Sequence, residues 1–257
     1  MPYTALQLAE AHLQGGDLAE SLVAIHTHLQ QFPHDPHGLR LRSQLLMHTD
    51  QQDDLQQALH DLQQLETPNW QDIQRMAVLH EKLGNPQQAL AVVQQALDHD
   101  PHERLKGYQL ELYRRMGQLE DALRLAQHAG WGQWVGELAL ELGDYPLAQS
   151  AWTGVIESLH AHGVALSGLG LNQLWRAYWN RGLAHAYLQQ WEQALADFEE
   201  AIVLSVADLQ LVRDALDMIA QLHLNDPHYP HTLSLADDQL KGASQLPSRF
   251  QPDHTTS

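Results

Sequence analysis

Eighteen histidines are the most conspicuous chemical feature of this 257-residue chain. They include the close pairs His26/His28, His34/His37, His99/His102, His160/His162 and His228/His231. Imidazole is a common metal ligand, but a site needs further donors held in fixed geometry. Spacings of two and three arise by chance at this abundance, and no HExxH pattern is present to set two ligands and a base on one helix. No metal and no cofactor are expected. His12, His80 and His185 are instead expected at helix-packing positions. Cysteine is absent, which removes thiol nucleophiles, disulfides and Cys-based zinc sites. The glycine-rich stretch 163–170 lacks the Lys-Ser/Thr ending of a phosphate loop, and neither a GxSxG elbow nor a Ser-His-Asp set is identifiable. No catalytic residues are expected, and the chain reads as a non-enzyme.

Charge narrows the partners. The formal net charge is −18. Non-specific nucleic-acid binding needs a broad basic surface, and anionic membranes attract basic segments, so neither partner is expected. No apolar run approaches the roughly 18 residues of a membrane-spanning helix. The opening Met-Pro-Tyr-Thr lacks the basic and apolar regions of a secretory signal, and a cytoplasmic location is expected.

The elements that must carry any site follow from an internal repeat. The clearest unit is Gly84 to Pro101, GNPQQALAVVQQALDHDP, with Ala89 and Ala96 as small residues between its ends. Its first small anchor recurs at Ser21, Ala58, Ala89, Ala122, Ala148 and Ala194, with gaps of 37, 31, 33, 26 and 46. Five before the anchors stand Gly16, Asp53, Gly84, Gly117, Gly143 and Gln189; twelve before stand Ala9, Leu46, Ala77, Leu110, Gly136 and Gly182. A glycine that ends one helix, and small residues that let a second approach it, describe two packed helices per repeat. First helices are expected at about 3–14, 37–49, 69–83, 102–116, 131–142 and 170–189. Asp100-Pro101-His102-Glu103 reads as a helix start with Asp100 as cap, and Asp17 with Glu20 reads as a capping box.

These residues resemble the tetratricopeptide repeat family. The best matches are the Gly84/Ala89/Ala96/Pro101 unit and AYWNRGLAHAYLQQWEQALADFEEAI, residues 177–202, where Gly182, Ala194, Phe198 and Ala201 take the family's signature places. The resemblance covers about residues 3–205 and is weakest in the second repeat, where Asp53 stands for Gly and Leu46 for a small residue. It implies an all-α, right-handed superhelical solenoid of about six helix pairs. The repeats fall at about 3–33, 37–67, 69–100, 102–130, 131–163 and 170–205. Residues 208–224 are amphipathic, with Leu211, Ala215, Met218 and Leu222 on one face, and are expected to cap the solenoid's last apolar face. Residues 1–224 then form the repeat domain, and 225–257 a mostly irregular C-terminal tail.

In this family first helices line a concave groove. Here the expected first helices hold ten of the fourteen Lys and Arg against seven carboxylates, while the rest of the chain is strongly acidic. The resemblance therefore implies a groove less acidic than the back. Helical spacing points Arg40, Gln44, Arg75, Lys82, Arg104, Tyr108, Arg115, Trp134, Arg176, Trp179, Asn180 and Tyr187 toward it. Forked guanidinium donors and rigid aromatics suit a peptide or protein segment bearing acidic residues or a free C-terminus. The opposing reading is that these arginines pair with carboxylates on neighbouring helices. Family members that clamp C-terminal carboxylates use two Asn with basic residues; only Asn180 sits comparably, so that clamp is not expected.

Six of the seven tryptophans fall within residues 131–191. Trp152 and Trp191 are expected in the core, Trp134 and Trp179 at the surface, and Trp175 in either place. The resulting expectation is a non-catalytic interaction scaffold or adaptor. Its alternatives are a homo-oligomeric assembly protein, such as a homodimer through the late tryptophans and capping helix, or a regulatory subunit positioning a catalytic partner.

Overall fold

The computed structural model describes residues 4–161 and 168–204, and all regular structure among them is α-helical. The helices are α1 (Ala5–Gln14), α2 (Leu18–Gln31), α3 (Pro36–Leu46), α4 (Gln52–Gln63), α5 (Trp70–Lys82) and α6 (Pro86–His99). Then follow α7 (Glu103–Arg115), α8 (Leu119–Ala129), α9 (Gly132–Leu142), α10 (Tyr145–Ala161), α11 (Gly168–Tyr187) and α12 (Trp191–Leu204). The expected first helices are α1, α3, α5, α7, α9 and α11, with ends that coincide or differ by up to three residues. The expected capping helix at 208–224 and the tail lie outside the described residues.

The chain forms two compact units, Met1–Ala122 and Leu123–Ser257. In the first, α1/α2, α3/α4 and α5/α6 are packed hairpins, and α2–α3, α4–α5 and α6–α7 contacts stack them in chain order. In the second, α9/α10 and α11/α12 are the hairpins, and α10 packs against α11. This is the helix-pair organisation of an α-solenoid.

The turns explain the repeat frame. Gly16, Gly84, Gly117 and Gly143 all have φ between 73° and 80°, and each precedes a second helix by two residues. At the sixth turn Gln189 takes the same left-handed conformation with φ 60°. In the second repeat the left-handed residue is Asp50, φ 53°, and Asp53 lies inside α4. The expected frame is therefore three residues out there. The anchor is Leu55, 4% exposed, and the small residue twelve before it is Ser43, fully buried. With that correction the gaps from Ser21 to Leu55 and from Leu55 to Ala89 are both 34. Three residues are close to one helical turn, so Ala58 still falls on the buried face.

Ser21, Ala89, Ala122, Ala148 and Ala194 are fully buried. The Ser21 hydroxyl is satisfied by donating to the Ala9 carbonyl at 2.7 Å. The helix starts differ in two places from expectation, at the α7 cap and at the Asp17/Glu20 box, of which only the Asp17 half forms. Asp100 ends α6, and His102 caps α7 by accepting from the Arg104 N–H through Nδ1 at 3.3 Å. Asp17 does cap α2, accepting from the Glu20 N–H at 3.3 Å. Full capping boxes are made by Thr4 with Gln7 and by Asn69 with Asp72.

Candidate interaction surfaces on the first helices

In the first unit the predicted groove cations meet carboxylates. Asp72 stands on α5 because its carboxylate closes the capping box, accepting from the Asn69 N–H at 3.0 Å. It is fully buried, and Arg40 of α3 reaches it with Nε at 3.0 and 2.9 Å and with Nη2 at 2.8 Å. That hydrogen bonding pushes the Arg40 guanidinium above its ordinary pKa, so it stays charged. Arg75 lies one turn along α5, 3.6 Å from the same carboxylate, in charge contact without a hydrogen bond.

Lys82, near the end of α5, donates to Asp50 and to the Met47 carbonyl, and so ties down the left-handed turn. This pairing holds the Asp50 carboxyl below its usual range. On α7 the Tyr108 hydroxyl donates to Glu81, and Arg115 donates to the same oxygen at 3.1 Å. Burial first, and Glu81 second, push the Tyr108 phenol well above its ordinary pKa. Arg40, Arg75, Lys82 and Arg115 thus sit in internal ion pairs, Tyr108 is engaged by Glu81, and Gln44 is exposed on α3. Arg104 is exposed, and its guanidinium lies 4.9 Å from the Trp70 ring centroid.

The second unit differs. Arg176, Asn180, Leu183 and Tyr187 follow each other at helical spacing along one face of α11, a helix without Asp or Glu. Arg176 is exposed, and no carboxylate pairs with it among the described residues. Tyr187 is 61% exposed and stacks on Tyr145 of α10, with centroids 4.4 Å apart and planes 6° from parallel. Asn180 is half-buried.

Trp179 is half-buried against Phe198, with centroids 5.1 Å apart, and belongs to the packing of α11 on α12 more than to a surface. Trp134 is half-buried, Trp175 half-buried with its indole N–H donated to Asn172 at 2.7 Å, and Trp152 is 2% exposed. Trp191 packs at the rim of the α12 core.

Two features escaped the sequence reading. Arg42 forks onto fully buried Asp61 at 2.7 and 2.6 Å, and Arg181 forks onto Asp197 at 2.9 and 2.6 Å. With the corrected frame both arginines stand thirteen residues before their anchors, Leu55 and Ala194, so the signal lay in a register that was misplaced. The second is the stack of Trp70 and His102, 5.0 Å apart, which joins the start of α5 to the cap of α7. Of the helix-packing histidines, His80 and His185 are buried, and His12 is 39% exposed at its side chain. No group of three potential metal ligands occurs among the described residues. Among the same residues, no helix is long and apolar enough to cross a membrane.

Known proteins agree with this architecture. The tetratricopeptide repeat family pattern matches residues 175–205, which take in the later part of α11 and all of α12. No curated protein matches the sequence. The C-terminal part of a tetratricopeptide repeat-containing protein from Cytophaga hutchinsonii has a similar structure, with a TM-score of 0.66 at 14% identity over 94% of this chain and 96% of that one. A tetratricopeptide repeat protein from Parabacteroides merdae is similar with a TM-score of 0.50 at 16% identity, over 91% of this chain and 97% of the other. The sixth repeat thus carries the tetratricopeptide repeat pattern, and the fold is that of tetratricopeptide repeat structures, with left-handed turns in the other repeats.

Proposed function

We propose that this chain is a non-catalytic interaction scaffold or adaptor that binds a peptide or protein segment on its first-helix surfaces. Tetratricopeptide repeats generally mediate protein–protein interaction, and their rigid, preformed faces bind without a large ordering cost. The observation that carries the reading is the α11 stripe. Arg176 is an exposed cation with no carboxylate paired to it among the described residues, and Tyr187 offers a rigid aromatic face backed by Tyr145. A guanidinium and an exposed aromatic on one helix face, about 16 Å apart along α11, are residue types enriched in binding hot spots. Its preferred occupant carries a carboxylate and, about 16 Å away, an apolar side chain. The first-unit cations Arg40, Lys82 and Arg115 serve a different purpose in this reading: they neutralise Asp72, Asp50 and Glu81 and hold the helices together.

The test is selection of peptides from a random displayed library on the wild-type chain, followed by affinity measurement on variants. Arg176→Glu and Tyr187→Ala are each expected to weaken the selected peptides by about tenfold or more. Unchanged affinity in both variants, with circular dichroism confirming the fold, would reject the α11 stripe.

A further inference from the structure

The first unit also carries a cavity of about 700 Å³, inside the roughly 300–1,000 Å³ range of ligand-binding clefts. Its floor is one face of α5, formed by Trp70, Ile73, Met76 and His80. Beside it runs α6, which contributes Gln88, Val92, Gln95, Ala96 and His99 at helical spacing. Leu62 and Leu65, at the end of α4, close the far side. From Gln88 to His99 the wall rises about 16 Å, so the cavity is a trough about three helical turns long.

Its ends are polar and its middle is apolar. The two helices of the α5/α6 hairpin run in opposite directions, so His80 and Gln88 lie toward one end and Trp70 and His99 toward the other. At the Trp70 end, His102 stacks on the indole and Arg104 lies against it. Asp100 is the one carboxylate among the lining residues, in a chain of formal charge −18. At the opposite end His80 is 9% exposed, and its ring nitrogens have no hydrogen-bond partner among the described residues. With no such partner, its ring nitrogens are open to the cavity it lines, where a ligand group can hydrogen-bond to the ring. Burial lowers the His80 pKa, which keeps the ring neutral with one N–H to donate.

We propose that this trough is a second recognition site, and that it takes one helix of a protein partner bearing apolar residues along one face and a carboxylate near each end. The three-turn length and apolar middle fit anchors at i, i+3 or i+4, and i+7 of a helix. One partner carboxylate accepts from the His80 ring, and the other meets Arg104. The scarcity of carboxylates in the lining selects an acidic helix over a basic one. The trough lies in the first unit and the α11 stripe in the second, so either reading can fail alone.

The probe is a synthetic helical peptide of about 14 residues with Glu near each end and Leu at two successive turns between them. Its affinity for the full chain is measured by calorimetry, beside a second peptide with Lys in place of each Glu. The acidic peptide is expected to bind and the Lys peptide to bind at least about tenfold more weakly. Val92→Arg, which fills the middle, is expected to abolish binding. Gln95→Glu, an exposed change that leaves the packing intact, is expected to weaken it by about threefold or more. Arg176→Glu and Tyr187→Ala are expected to leave it unchanged. Absence of binding, equal binding of the Lys peptide, or unaltered binding to a folded Gln95→Glu protein would overturn the proposal.

Discussion

Gly136 and Gly182 are set by contact with the opposite helix. A Cβ on Gly136 would lie 2.5 and 2.6 Å from atoms of the Trp152 ring, and one on Gly182 would lie 2.7 Å from the Phe198 ring. Both rings are buried and cannot step aside. Gly136→Ala and Gly182→Ala are each expected to destabilise by about 1–3 kcal/mol, measured by urea denaturation. Gly154 lies inside α10 with nothing within 4 Å of its missing Cβ. There Ala is expected to stabilise by about 0.5–1 kcal/mol in the same assay. His80 makes a pH-dependent contribution. Burial depresses its folded-state pKa below the unfolded value of about 6.5. Its share of stability is thus complete above that pH. It is lost as pH falls below, because the unfolded chain takes the proton first. The fall in Tm between about pH 7.5 and about pH 5.5 is expected to be smaller in His80→Leu than in the wild type.

At the scale of elements, two buried forks join first helix to second. Asp61 is fully buried against Arg42, whose side chain keeps 16% exposure, and Asp197 is 6% exposed against Arg181 at 20%. Removing one partner of a buried pair costs about 3–5 kcal/mol, and the partial exposure of Arg42 places Asp61→Ala at or below the lower end of that range. The double replacement Arg42→Met/Asp61→Leu is expected to recover most of the loss, since the desolvation of both charges disappears with them. Chemical denaturation of the single and double variants measures both effects. Asn69 acts at a helix start. Asn69→Ala removes the α5 cap and is expected to cost about 1 kcal/mol. The backbone N–H at position 69 still donates to the Asp72 carboxylate, so the loss is confined to the bonds the Asn69 side chain accepts from Gln71 and Asp72.

For the whole molecule, the relevant quantity is charge. Eighteen histidines accompany a formal charge of −18, so protonation of all of them would bring the net charge near zero. Imidazoles titrate around pH 6.5, and proteins near zero net charge associate. Light scattering of the full chain is expected to rise between about pH 7.5 and about pH 5.5, and to fall again on return. Unchanged scattering over that interval would remove this effect. The response needs no specific site, because it comes from the summed charge of the surface.

The amino-acid sequence alone determined the helix pairs, their order and most of their ends. Those features are local: glycines at left-handed turns, small residues at close approaches and a repeat of apolar positions all leave a mark at fixed spacing. It failed at Asp53, because an Asp can enter the left-handed region at Asp50 as well, and nothing in the pattern chooses between them. Helical spacing also brought Arg40, Arg75, Lys82 and Arg115 to the first helices. Whether Arg40, Lys82 and Arg115 were free or paired depended on Asp72, Asp50 and Glu81, which arrive from turns or neighbouring helices more than thirty residues away; only Arg75 meets its carboxylate, Asp72, one turn back on its own helix. The trough over α5 had no sequence signature for the same reason. Trp70, Val92 and His102 form one surface only after three helices are packed, and no repeat period connects them. Tertiary structure decided which charges were spent internally, because an ion pair or a cavity is a relation between residues that the chain's local order does not contain.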